Sequence, residues 1–92
     1  MHVIIWRYDV APAHAAAFRA AYAPGGDWAL LFARAPGFVK VELFESADGA
    51  FVTLDHWESE AAFDAFKAAY GDEYAALDVK LAHLSTAQQK LS

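Results

Sequence analysis

In the stretch FVTLDHWESEAAFDAF, Phe51 to Phe66, an acid, an imidazole and an indole stand side by side as Asp55, His56 and Trp57. A carboxylate or an imidazole can take a proton from a bound molecule, and an indole can wall an aromatic pocket. The segment opens as a buried strand, however, and side chains on a strand alternate between faces. Asp55 and Trp57 then point one way and His56 the other, so Asp55 and His56 do not form one acid–base pair. Each is a candidate base on its own, His56 reading also as a structural or interface residue. Trp57 reads equally as a pocket wall and as core packing where strand passes into helix. The other histidines, His2, His14 and His83, lack metal-ligand spacing, and no HxxxE or HxH pattern occurs, which argues against a metal site.

The elements that would hold these groups follow from periodicity and punctuation. His2 to Val10, rich in β-branched and aromatic residues, predicts a strand. Pro12 fits the first turn of a helix whose apolar face is Ala15, Phe18 and Tyr22, and Pro24 to Gly26 stops it. Asp27 is placed to cap a second short helix, WALLFARA, ended by Pro36-Gly37. Phe38 to Ser46 alternates as a strand, Ala47 to Gly49 turns, and Phe51 to Trp57 is the hairpin partner. Ser59 is the expected cap of a helix with Phe63, Phe66 and Tyr70 on one face, ended by Gly71. Asp72 starts a further helix with Tyr74, Leu77, Leu81 and Leu84 on its face. The tail TAQQKLS supplies a short last strand. FRAAY at Phe18 to Tyr22 returns as FKAAY at Phe66 to Tyr70, the echo expected of two βαβ halves. The order predicts an α+β, ferredoxin-like split βαβ fold with an antiparallel sheet, one domain over residues 1–92.

A chain of 92 residues buries only a modest core, yet 58% of it is hydrophobic and 15% aromatic. With no cysteine, neither disulfides nor thiolate metal sites supplement that core. Both faces of the first and third strands carry large apolar groups, and helices in this topology cover one face only. The other face is expected to meet a second copy, giving a homodimer. A net charge of −5 and scattered basic residues argue against nucleic acid. The apolar run Val3 to Trp6 is too short for a signal peptide or a membrane helix, so a cytoplasmic protein is the expectation.

IWRYDV near the start, APG before the second strand, VTLDHWES running into a helix and EYAALD at Glu73 to Asp78 together resemble the antibiotic-biosynthesis-monooxygenase-like family. The resemblance spans Val3 to about Leu84 and implies a dimeric α+β barrel, two sheets closing on each other. Known members include quinone and quinol oxygenases, haem-degrading enzymes, isomerases and proteins without known activity, so fold alone decides little. The haem-degrading branch pairs its Trp with an Asn on the first strand and a His on the next helix. Here Trp6 holds the strand position and Glu58 to Tyr70 contains no His, which rules that mechanism out.

The resemblance also implies a cofactor-free oxygenase, in which an electron-rich phenol or quinol itself supplies electrons to oxygen. The protein then need only hold the ring in a dry pocket and help remove a proton. Trp57, Trp6, Phe18, Tyr22, Phe63 and Phe66 are the expected walls, Asp55 or His56 the base, and Tyr22 a hydrogen-bond donor to a ring oxygen. That branch often places Asn four residues before the Trp, where this chain has Thr53. The expected partner is a small aromatic molecule. Two other readings stand beside this one: a non-oxidative ligand binder or isomerase, and a structural dimer whose pocket Trp6 and Trp57 fill.

Overall fold

The computed structural model describes residues 1–92. The strands are β1 (His2–Asp9), β2 (Phe38–Glu45), β3 (Ala50–Trp57) and β4 (Ala87–Lys90), and the helices are α1 (Ala15–Tyr22), α2 (Asp27–Phe32) and α3 (Glu60–Leu81). They form one sheet in the order β2-β3-β1-β4, every neighbouring pair antiparallel. This is the ferredoxin-like arrangement that the element order predicts.

Pro12 opens a 3₁₀ turn, Pro12–His14, which passes into α1. Gly26, not Asp27, is the residue at the cap of α2; Asp27 lies in its first turn, where a carboxylate suits the positive end of the helix dipole. Gly26 is needed there because a Cβ would collide with the backbone carbonyl oxygens of Ala20 and Ala21. The hairpin turn relies on Gly49 at φ +86°, and the Ser59 hydroxyl accepts from the Ala62 amide at 3.1 Å to cap α3.

Gly71 does not end that helix. α3 runs on to Leu81 with one non-helical residue, Tyr70 (φ −121°, ψ 24°), so the two expected helices are the halves of one kinked helix. A glycine weakens a helix without obliging it to stop, and the apolar residues on both sides keep the chain against the sheet.

Register assigns the faces. Ile4, Trp6 and Tyr8 lie opposite Asp55, Thr53 and Phe51, under the helices. Val3, Ile5 and Arg7 lie opposite His56, Leu54 and Val52 on the face that no helix covers. The core between helices and sheet includes Phe18, Phe51, Trp57 and Phe66, each at most 1% exposed.

Candidate active site

Trp57 ends β3 at the centre of an aromatic cage. The rings of Phe32, Phe38, Phe63 and Phe66 stand 5.2–5.5 Å from it, centroid to centroid. The APG segment explains how α3 comes so near. Gly37 adopts φ +89°, and a Cβ there would sit 2.6 Å from the Ala62 Cβ. Its carbonyl accepts the Glu58 amide at 2.8 Å, tying the start of the helix to the loop before β2. Trp57 is wholly buried, and its Nε1–H has no acceptor in the protein.

The cavity lies beside this cage. It has a volume of about 70 Å³, and its walls include Trp6, Tyr8, Tyr22, Trp28, Thr53 and Asp55, with Tyr74 and Asp78 from α3 and Gln88 from β4. Trp6, Tyr22 and Asp55, singled out from sequence, are thus brought together. Phe18 supports the wall from behind, stacked on Tyr22 at 4.0 Å and 7°. Trp57, Phe63 and Phe66 belong to the neighbouring cage and do not line the cavity. His56 is on the opposite face of the sheet, where its Nε2 meets Glu42 Oε1 at 2.6 Å.

Tyr8, Trp28, Tyr74, Asp78 and Gln88 were not foreseen as cavity residues. Tyr8 shares a strand face with Trp6, and Asp78 follows Tyr74 by four residues on a helix, so strand and helix periodicity carried that much. Trp28 comes from a different element, and only packing reveals that its ring lies 6.2 Å from Tyr22 and 5.1 Å from Tyr74.

Asp55 is the one strongly perturbed acid. Burial among aromatic rings disfavours its charged form and pushes the carboxyl up to about 7. No hydrogen bond or ion pair in the protein offsets that burial. Burial also raises the phenols of Tyr8, Tyr22 and Tyr74, which therefore remain protonated donors at neutral pH. Trp28 adds a buried Nε1–H without an acceptor. A proton acceptor that titrates near neutrality, several fixed donors and flat apolar walls suit a hydroxylated aromatic ring. No group of His, Asp or Glu side chains has metal-ligand geometry.

The family model for antibiotic biosynthesis monooxygenase matches residues 1–77. Among solved structures, a variant of SnoaB, a cofactor-independent oxygenase from Streptomyces nogalater, is 28% identical with TM-score 0.74, over 98% of this chain and 89% of that one. The monooxygenase from ActVA-Orf6 of Streptomyces coelicolor, solved with nanaomycin D, is 26% identical with TM-score 0.75, over 97% and 81%. Rv0793 from Mycobacterium tuberculosis, 24% identical with TM-score 0.66 over 98% and 91%, shares the fold. No curated protein matches the sequence.

Proposed function

Because this chain belongs to the antibiotic biosynthesis monooxygenase family, we propose that it is a cofactor-independent monooxygenase of a small aromatic or quinol compound. In this reading it acts as a cytoplasmic homodimer whose two sheets close into a barrel. The observation that carries the chemistry is the Asp55 carboxyl, pushed up to about 7 inside an aromatic cavity. A carboxyl in that range is a far better proton acceptor at neutral pH than an ordinary Asp, whose conjugate acid is too strong. Asp55 takes a proton from a ring hydroxyl or an activated ring CH₂. The electron-rich anion reduces O₂, and one oxygen atom ends as a ring carbonyl while the other leaves as water. For a CH₂ group the balance is CH₂ plus O₂ giving C=O plus H₂O. Tyr8, Tyr22 and Tyr74 donate to the ring oxygens, and the Trp57 cage holds β3 and α3 in position. His56, on the far face, takes no part in proton transfer.

A ring is larger than the cavity, which has room for about two waters. The substrate therefore enters by displacing side chains at the mouth. There the exposed Asp78 and Gln88, with Tyr22, also border an adjoining cleft of about 220 Å³. The small volume supports a second reading, a structural dimer whose own side chains fill the pocket.

Oxygen uptake with a panel of quinols and anthrones tests the first reading. Wild-type kcat is expected to rise with pH through about 7, as Asp55 ionises. Asp55→Asn should lower kcat by about 10²–10⁴-fold and remove that inflection. Full activity in Asp55→Asn would overturn the assignment. Ring binding without oxygen consumption would favour a binder or isomerase, and no binding at all the filled pocket.

A further inference from the structure

The cavity walls contain two carboxylates, Asp55 within and Asp78 at the mouth, and no Lys, Arg or His. The cations nearest the site are engaged by other groups or stand outside its lining. Lys67 Nζ sits 4.0 Å over the Tyr74 ring, and Lys80 pairs with Asp27 at 4.0 Å. Lys90, two residues beyond Gln88 on the same strand face, stands outside the lining. Asp55 can accept a hydrogen bond, and the phenols of Tyr8, Tyr22 and Tyr74 on the same walls can donate one. The site thus asks for a ligand oxygen that can both accept and donate, and offers a negative charge no counter-ion.

We infer that this cavity selects by charge: it takes neutral or cationic hydroxyarenes and rejects those carrying a carboxylate or phosphate, through Asp55 within and, to a smaller extent, Asp78 at its mouth. The inference rests on the reading of the cavity as a ligand site, but not on oxygen chemistry. Like charges in a partly desolvated site repel strongly, and binding an anion would also leave Asp55 and Asp78 without compensation. Asp78 is exposed, so its share of the effect is smaller than that of Asp55 and is screened by salt. Gln88 at the same mouth is neutral and cannot offset it.

Matched ligands provide the test. Binding of 1,4-dihydroxynaphthalene and of its 2-carboxylate is followed at pH 8 under anaerobic conditions, where neither is oxidised, through the fluorescence of the tryptophans. The carboxylate is expected to bind about tenfold more weakly or worse. In Asp78→Asn the ratio of the two dissociation constants should narrow by about threefold at low ionic strength, and that difference should fade in about 1 M salt. Equal binding of the pair by the wild type would overturn the inference, as would a ratio unmoved in Asp78→Asn. Failure of both ligands to bind would remove this inference and the ligand-site reading together. Selective binding with no oxygen uptake would leave the charge selection standing and refute only the monooxygenase reading.

Discussion

Replacing Asp55 by Asn should make the protein more stable and less active, and the gain in stability should depend on pH. The carboxyl rises from an ordinary value of 3.8 to about 7 because burial disfavours its charge. Between those two values the folded chain holds a proton that the unfolded chain has released, so raising the pH favours unfolding. The cost is absent below pH 4, grows by up to about 1.4 kcal/mol per pH unit, and levels off above pH 7. Its full size is about 4 kcal/mol, and water reaching the open side of the cavity reduces this to about 2–4 kcal/mol. An Asn amide has nearly the same shape and no charge to desolvate. Urea denaturation of both proteins from pH 4 to pH 9 gives the difference directly. Other carboxyls, such as Glu45 and Asp48 with their lowered values, cancel between the two proteins. The expected difference is near its pH-independent baseline at pH 4 and about 2–4 kcal/mol in favour of Asn at pH 8, roughly 10–25 °C in Tm for a domain of this size. A difference that stays flat across the range would show that Asp55 ionises as freely in the folded chain as in the unfolded one.

Three further outcomes follow from the packing. Trp57→Ala removes the centre of the aromatic cage and should cost about 3–5 kcal/mol in urea denaturation, Trp57→Phe clearly less. Gly37→Ala combines a left-handed backbone with a clash against Ala62, and should cost about 2 kcal/mol or more in the same assay. Leu54→Asp, on the sheet face without helices, should convert a wild-type dimer into a folded monomer by sedimentation velocity at micromolar concentration; a wild-type monomer would count against the barrel.

Alternation and the Gly/Pro punctuation made the strands legible, because each depends on residues close in sequence. The capping role of Ser59 and the turn at Gly49 were legible for the same reason. The continuity of α3 through Tyr70 was not, since Gly71 signals a stop that tertiary packing overrides. Of the site, strand alternation separated Asp55 and Trp57 from His56, and only the register between strands put Asp55 and Trp6 together under the helices. Neither revealed the cavity itself, which exists where Trp28 of α2, Tyr74 and Asp78 of α3 and Gln88 of β4 converge. Trp57 shows the limit most clearly: its type and position mark the family, while its surroundings of Phe32, Phe38, Phe63 and Phe66 could only be known from packing.

The kink at Tyr70 divides α3 into two stretches with separate duties. Phe63 and Phe66, before it, brace Trp57, while Tyr74 and Asp78, after it, reach the cavity. A lineage can therefore change what it binds by altering the second stretch without eroding the first. Substitutions at Asp78 and at Phe63, which does not line the cavity, should add in free energy, whereas those at Tyr74, whose ring lies 6.2 Å from Phe66, and at Phe32, which belongs to both the cage and the cavity wall, should couple to the cage. Diversifying the helix beyond the kink is thus the economical route to new ligand preferences on this scaffold.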